Sequence, residues 1–194
     1  DSLSFLKENH PNITCLQRDT NEGFAGGYNW ALSLVDADYY VLLNSDVKVQ
    51  PNWLEPMVSL LDSNASIAAC QPKILSYSNP TSFEYAGAAG GWIDILGYPF
   101  SKGRIFDVLE EDHGQFDQIT DIFWASGACF FIRKNTYELL NGFDENFINH
   151  MEEIDLCWRL TNLNLNLKKR FLYKSVVFHL GGGSLNYENP KKLF

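Results

Sequence analysis

A short apolar run, Tyr39 to Leu43, is followed at once by the polar triplet Asn44-Ser45-Asp46. An apolar run without polar alternation is typical of a strand that is covered on both faces. Helical and strand-like segments alternate around it, and a second such run occupies residues 67–75. This order predicts an α/β domain in which helices flank a mostly parallel sheet.

The remaining segments continue the alternation. Apolar spacing, together with start and stop residues, predicts helices at residues 2–9, 28–35, 51–61, 135–140 and 151–163. Strands are expected at residues 13–16, 39–43, 67–75, 122–132 and 172–178, a glycine-rich turn at 21–27, and a long excursion with short strands and a mobile loop at 76–120. Because such folds ordinarily open on a strand, residues 1–194 are interpreted as one domain whose first strand lies upstream.

Charge and cysteine usage limit the partners and the compartment. The net charge is -9 and no basic stripe is present, so we expect no nucleic-acid partner. The four cysteines are widely spaced without a CxxC pair, which favours reduced, mostly buried thiols in a cytoplasmic protein. No apolar run approaches the roughly 20 residues that span a bilayer, and peripheral association with the inner face of the membrane stays open.

Two polar groups end predicted strands. In open α/β sheets, ligands gather outside the carboxyl ends of the strands, where Asp46 could hold a hard cation and Asn44 could bind a ribose or sugar hydroxyl. A simple strand-ending turn is the alternative, since Asn, Ser and Asp all favour turns. His179 ends the last predicted strand and could ligate a metal, although most lone histidines do not.

Two further groups lie at the starts of predicted helices. Glycines within residues 21–29 could let backbone N–H groups approach an anion, or could form a plain turn. Glu152 and Glu153 cannot both face one point, because successive helix positions differ by about 100°. One of them could serve as a general base beside a sugar. Alternatively, the pair is an acidic helix start favoured by the helix dipole.

The order of the motifs is more specific than any one of them. The chain carries Asn-x-Gly-Phe-Ala-Gly-Gly-x-Asn, Leu-Leu-Asn-x-Asp, Trp-x-Ser-Gly-Ala, Gly-Phe-Asp-Glu-x-Phe, an acidic pair before Asp-Leu-Cys-Trp-Arg, and Val-x-His-x-Gly-Gly-x-Ser. This series resembles the family 2 inverting glycosyltransferases of GT-A fold, especially the rhamnosyltransferase-like branch of bacterial cell-surface polysaccharide synthesis. The resemblance runs from about Asp1 to Ser184.

The resemblance implies a reaction, a cofactor and partners. A sugar would pass, with inversion, from a nucleoside-diphosphate sugar to a hydroxyl of a glycan or lipid-linked acceptor, with a divalent cation, Mg²⁺ or Mn²⁺. The triplet matches the DxD-type motif with Asn44 in its first position, and Glu152-Glu153 matches the family's Glu-Asp pair. The implied roles are metal binding by Asp46 and His179; catalysis by Glu153, with Glu152 as the fallback base; nucleotide-sugar binding by Asn21, Gly26, Gly27, Asn29, Asn44 and Asp46; and sugar or acceptor binding by Trp124, Ser126 and Gly127.

Two other functions remain open from the sequence. A nucleotidyltransferase-like enzyme that makes activated sugars would have a related fold and would also use carboxylates with Mg²⁺. A non-catalytic carbohydrate-binding protein could have arisen from a transferase, although the acidic pair and His179 are intact.

Overall fold

The structure, a computed structural model, describes residues 2–147 and 150–181; the end of the last motif, Gly182 to Ser184, lies outside them. Helices span Ser2–Asn9 (α1), Gly23–Ser33 (α2), Glu55–Ser63 (α3), Lys134–Leu139 (α4) and Glu152–Asn162 (α5). Strands span Tyr39–Leu43 (β1), Val47–Val49 (β2), Ile67–Ser76 (β3), Gly91–Ile93 (β4), Pro99–Ser101 (β5), Arg104–Ile105 (β6), Val108–Leu109 (β7), Thr120–Asp121 (β8), Cys129–Arg133 (β9) and Lys168–His179 (β10).

The main sheet has the strand order β1-β9-β3-β10-β2, with β8 pairing against β10. The strands β1, β3 and β10 run in one direction, as predicted, but β9 returns after the long excursion and inserts antiparallel between β1 and β3. The strand β2 is also antiparallel to β10. The predicted α/β architecture is confirmed, and its sheet is mixed rather than mostly parallel because of these insertions.

Alternate residues of the central strands enter different cores. Leu42 and Phe130 point into the larger core cluster, which also contains residues of α2, α4 and α5. Phe131, one position further along β9, packs instead with Met57 of α3. This alternation follows from the two-residue period of a strand. The predicted coverage of β1 on both faces is confirmed, because Val41 packs against the second cluster, and β9 is covered in the same way. Full burial of each such side chain stabilises the fold by about 1.5–3 kcal/mol.

Some predicted elements differ in the structure. Residues 13–16 pair with no described strand, and Ile13 is exposed, so the segment has neither a partner nor a covered face. The helix predicted from Pro51 begins only at Glu55, because Asn52 adopts a φ of 58° that a helix does not allow. Residues 122–127 form an irregular link between β8 and β9 rather than a strand.

The excursion between β3 and β8 contains two small hairpins, β4–β5 and β6–β7. A buried lysine holds its later part against the sheet: the Nζ atom of Lys73 lies 2.6 Å from Asp112 and 2.5 Å from Asp117. Burial alone lowers the pKa of Lys73, but the two carboxylates outweigh it and the net shift is upward. The ammonium group therefore stays charged in the interior.

The cysteines agree with the prediction of unpaired thiols. Cys70, Cys129 and Cys157 are buried and Cys15 is exposed, and all are free. In the part of the chain that the structure describes, no helix combines the length and apolar character needed to cross a bilayer.

Candidate active site

Asp46 and His179 meet at the edge of the sheet where β1 and β10 end. They are 133 positions apart in sequence, and the Nε2 atom of His179 lies 3.2 Å from Oδ1 of Asp46. Two backbone contacts fix the approach: Leu180 N–H donates to the carbonyl oxygen of Asp46 at 3.0 Å, and His179 is opposite Val47 in the β10–β2 ladder. The sheet thus brings together the two side chains for which the sequence predicts metal binding.

A second carboxylate lies on the other side of the His179 ring. The Nδ1 atom of His179 is 3.3 Å from Oε1 of Glu84, although the pair is not aligned as a full hydrogen bond. Burial by itself lowers the pKa of His179, but the Glu84 and Asp46 carboxylates outweigh it, so the net pKa is raised. Glu84 was not predicted from the sequence, where its only signal is a carboxylate inside the mostly apolar stretch 82–89.

The helix α5 carries the acidic pair. Glu153 lies beside Gly127, and its Oε2 atom is buried without a hydrogen-bond partner among the described residues. Burial, with a contribution from the nearby Glu152, raises the pKa of Glu153 to about 7. Glu152 is also buried, and burial raises its pKa. A carboxylate with a pKa near 7 is suited to accept a proton at neutral pH.

The start of α5 is held in a constrained geometry. His150 and Met151 have φ values of 69° and 75°, a conformation that costs non-glycine residues about 1 kcal/mol or more. Asp155 pairs with Arg159 at 2.7 Å, and Arg159 also donates to the carbonyl oxygens of Leu140 and Gly142. These contacts tie α5 to the turn that precedes it.

A short loop lies between α5 and the polar triplet. Gly127 contacts Glu153, and the next residue, Ala128, accepts a hydrogen bond at 3.1 Å from the backbone N–H of Asn44. Asn44 and Glu153 therefore contact neighbouring residues of the same loop. The triplet forms a turn, since the Val47 N–H donates to the carbonyl oxygen of Asn44.

The glycine-rich segment is folded differently from its prediction. The helix α2 already begins at Gly23, so Gly26 and Gly27 lie within a helix and not in a turn. At Gly26 a Cβ atom would come within 2.9 Å of the Cβ of Glu22, so close packing explains this glycine. The Oδ1 atom of Asn21 accepts the Gly23 N–H at 3.0 Å and thereby helps to start the helix.

A depression of about 460 Å³ lies beside this helix start. Asn21 and Gly27 line it, together with Arg18 and Trp30, and the Arg18 guanidinium lies 5.2 Å from the centre of the Trp30 ring. Arg18 is also paired with Glu22 at 2.5 Å. Nucleotide binding by Asn21, Gly26 and Gly27 stays a prediction.

The side chain of Asn29 makes four hydrogen bonds within the protein. Its amide nitrogen donates to the carbonyl oxygen of Phe143 and to Glu145, and its amide oxygen accepts from the Phe143 N–H and the Tyr137 hydroxyl. Two donated and two accepted bonds use the whole capacity of an amide side chain. Contact between Asn29 and a nucleotide stays a prediction, and the observed contacts give this side chain a role in holding the 143–145 turn.

The residues predicted on the acceptor side are largely internal. Trp124 is 7% exposed, and its indole N–H donates to the carbonyl oxygen of Trp92 at 2.8 Å. Ser126 is 2% exposed, and its backbone N–H donates to the Oε1 atom of Gln71 at 2.8 Å. Of the three predicted residues, Gly127 is the one that contacts Glu153. Sugar or acceptor binding by Trp124, Ser126 and Gly127 stays a prediction.

Gln71 is a second residue of the site that was not predicted from the sequence. It is fully buried in the middle of β3, and besides accepting from Ser126 it donates to the carbonyl oxygen of Gly87 at 2.8 Å. One amide thus holds two loops of the site against the sheet. A glutamine inside a predicted buried strand was the available signal, since buried polar side chains require partners.

Residues 2–139 match the sequence profile of the family described as Glycosyl transferase family 2. This chain belongs to that family. The match covers the polar triplet and the Trp-x-Ser-Gly-Ala motif, while Glu152, Glu153 and His179 follow it in the chain.

Curated relatives of this family 2 chain act in glycan synthesis. It is 24% identical over 164 residues to a hexosyltransferase of low-salt glycan biosynthesis, Agl10, from Haloferax volcanii, covering 81% of this chain and 49% of the relative. It is 26% identical over 161 residues to the O-antigen biosynthesis protein RfbC of Myxococcus xanthus, covering 81% and 12%. It is 23% identical over 171 residues to an N-acetylglucosaminyl-diphospho-decaprenol L-rhamnosyltransferase of Mycobacterium tuberculosis, covering 79% and 54%. The chain thus spans about half of these relatives or less.

A solved structure supports the fold. The chain superimposes on GalNAc-T7, solved with UDP, GalNAc and Mn²⁺, with a TM-score of 0.68 and 14% identity, covering 92% of this chain and 34% of that one. The family 2 chain therefore has the predicted GT-A fold.

The Asp46–His179 pair fits a divalent cation in its chemistry and spacing. Two adjacent ligands of an octahedral cation, each at about 2.1 Å, lie about 3 Å apart, and the observed separation is 3.2 Å. Within residues 2–147 and 150–181, no three His, Cys, Asp or Glu side chains are arranged to hold a metal. From the described residues, a cation here would take the two ligands Asp46 and His179, and its other positions would be open to further oxygen ligands such as water.

Proposed function

We propose that this family 2 chain transfers a sugar from a nucleoside-diphosphate sugar to a hydroxyl group of a glycan or lipid-linked acceptor, with inversion at the anomeric carbon. The relatives that act in O-antigen and decaprenol-linked glycan synthesis support cell-surface polysaccharide synthesis as the setting. A lipid-linked acceptor would bring the chain to a membrane surface, and the cytoplasmic face is the location we propose.

The observation that carries the proposal is the Asp46–His179 contact at the carboxyl edge of the sheet. The sheet brings a carboxylate and an imidazole to 3.2 Å of each other, although 133 positions separate them. A divalent cation bound there would offset the negative charge that develops on the departing diphosphate. The GT-A structure of GalNAc-T7, which holds UDP and Mn²⁺, supports this combination.

Glu153 is the proposed base. In its deprotonated form it removes the proton from the acceptor hydroxyl, whose oxygen forms a bond to the anomeric carbon as the bond to the diphosphate oxygen breaks. A single displacement of this kind inverts the anomeric centre. The raised pKa of Glu153, about 7, suits the step because a base works best when its pKa is near the working pH.

Glu152 has a supporting role in this scheme. It is 5% exposed and lies next to Glu153, and its charge contributes to the raised pKa of Glu153. We assign Glu152 to this electrostatic role and keep it as the fallback base. The start of α2, with Asn21 and Gly27 at the adjacent depression, is the proposed nucleotide side.

The test is a transfer assay with a panel of nucleotide sugars and acceptors, with and without Mn²⁺. We expect release of a nucleoside diphosphate and a product of inverted configuration by NMR. Asp46→Asn should lower turnover at least about 100-fold, because a bound metal supplies several kcal/mol of charge stabilisation. The matched control is Asp121→Asn, on β8, which removes an exposed carboxylate paired with Arg170 and should change turnover less than about twofold.

Other outcomes would contradict the proposal in identifiable ways. Release of pyrophosphate would indicate nucleotidyl transfer, and a product of retained configuration would exclude the single displacement. Full turnover in Asp46→Asn would exclude the assigned cation site. Sugar binding without turnover in every combination would favour a carbohydrate-binding protein.

A further inference from the structure

We propose that Glu84 is a positioning residue that fixes the ring orientation and the tautomer of His179. The inference rests on the proposed function in one respect, because His179 is the proposed cation ligand. Glu84 itself does not face the cation, since the imidazole ring lies between its carboxylate and Asp46.

The backbone holds Glu84 firmly beside the end of β3. Phe83 is fully buried and forms a bridge with Leu75, and the Glu84 N–H donates to the carbonyl oxygen of Ile74 at 3.1 Å. The Oε2 atom of Glu84 accepts the Ala86 N–H at 2.5 Å. One carboxylate oxygen is therefore occupied, and the other, Oε1, faces the imidazole.

The ring of His179 lies between two carboxylates of different exposure. The Asp46 side chain is 16% exposed and faces Nε2, whereas the Glu84 side chain is 6% exposed and faces Nδ1. Asp46 can therefore also contact solvent or a bound cation, while Glu84 is enclosed. Among the described residues, Nδ1 makes no aligned hydrogen bond, and the carboxylate that faces it, at 3.3 Å, is that of Glu84.

Each ring nitrogen faces a carboxylate, and we expect the more enclosed one, Glu84, to hold the proton of the neutral ring, because the more exposed Asp46 can accept hydrogen bonds from water instead. A neutral imidazole carries one N–H and one lone pair, and a carboxylate can only accept a hydrogen bond. If the proton sits on Nδ1, it satisfies the enclosed Glu84 and leaves the Nε2 lone pair directed towards Asp46, where the cation is proposed. Carboxylates commonly orient metal-binding histidines in this way, and their loss costs about 10–100-fold in metal affinity.

The decisive measurement is the tautomer of His179 in the metal-free protein, by ¹⁵N-edited NMR of histidine-labelled protein at a pH where the ring is neutral. His179→Gln assigns the signal. We expect the Nδ1–H form in the wild type. An Nε2–H form in the wild type would overturn the inference without any variant and whatever the activity.

The variant Glu84→Gln reverses the polarity of the contact. Its amide oxygen can still accept the Ala86 N–H, which turns the NH₂ group towards Nδ1 and favours the Nε2–H form. We expect a change of tautomer and a 10–100-fold weaker affinity for Mn²⁺ alone, measured by titration. Glu84→Asp, which keeps the charge, should keep the Nδ1–H form and recover part of the affinity.

A matched control and two reference variants separate the possible failures. Glu138→Gln removes an exposed carboxylate on α4 and should change neither the tautomer nor Mn²⁺ binding. If His179→Gln and Asp46→Asn abolish Mn²⁺ binding while Glu84→Gln changes nothing, the positioning role is wrong and the proposed function stands. If His179→Gln leaves Mn²⁺ binding intact, the cation site is wrong, and the wild-type tautomer still decides the role of Glu84.

Discussion

Replacing Glu153 with Gln should stabilise the folded protein at alkaline pH while removing the proposed base. Burial, assisted by Glu152, raises the pKa of Glu153 from its ordinary value of 4.5 to about 7. Between these two values the folded protein keeps a proton that the unfolded chain has released. Because the unfolded chain binds fewer protons in this window, the free energy of unfolding falls as the pH rises through it.

The size of the effect follows from the two pKa values. Each tenfold change in proton affinity is worth about 1.4 kcal/mol, so the raised pKa costs the wild type about 3 kcal/mol at pH 8 and about 1 kcal/mol at pH 5. A glutamine is neutral at both pH values and avoids this cost. We therefore expect Glu153→Gln to exceed the wild type in unfolding free energy by about 3 kcal/mol at pH 8, and by much less at pH 5.

Urea unfolding of both proteins at pH 5 and pH 8, without metal, measures the difference in unfolding free energy. A transfer assay measures the accompanying loss of turnover. Turnover should fall about 10²–10⁴-fold, the usual contribution of a general base. Glu138→Gln, in which the carboxylate is exposed, should show no such pH-dependent gain. The reasoning would be refuted by a stability difference for Glu153→Gln that is the same at both pH values.

Three further predictions concern stability, and urea unfolding checks each. Gly142→Ala should lower the free energy of unfolding by about 2–3 kcal/mol, because φ is 69° and the new Cβ would lie 2.3 Å from Oδ1 of Asn29. The control Gly97→Ala has a φ of 90° but open space around the new Cβ, and should lower it by only about 1 kcal/mol. Gln71→Leu should lower the free energy of unfolding by about 2–4 kcal/mol, because the buried Ser126 N–H and Gly87 carbonyl oxygen lose their partner. Burial lowers the pKa of Lys169, so the unfolded chain binds more protons than the folded protein. The free energy of unfolding of the wild type therefore falls as the pH falls, and from about pH 10 to pH 7 it should fall less in Lys169→Met.

Much of the fold was predictable where periodicity and burial agree. The apolar run of β1 and the helix α5 are found as expected, because a strand covered on both faces and an amphipathic helix leave clear patterns. The order of strands was not predictable. Nothing local in residues 129–133 indicates that they insert antiparallel between β1 and β3, since this depends on pairing across a long excursion.

The candidate active site, like the fold, could be predicted from the sequence only in part. The meeting of Asp46 with His179 could be expected because both end strands that point towards one edge of the sheet. Glu84 could not, because its contact depends on a segment that runs beside β3 without forming a regular strand. The full engagement of Asn29 was also hidden, since its partners lie more than a hundred positions away.

The strand β10 is the last described element of the chain, yet it lies inside the sheet between β3 and β2. During synthesis, the two flanking strands leave the ribosome about a hundred residues before the strand that joins them. The nascent chain must therefore keep an open, apolar sheet edge until residue 179 has emerged, a state that invites association with chaperones or with other chains. If the proposed cation site is correct, Mn²⁺ binding would report insertion of β10, because a nascent chain that ends before residue 179 lacks one of the two proposed ligands.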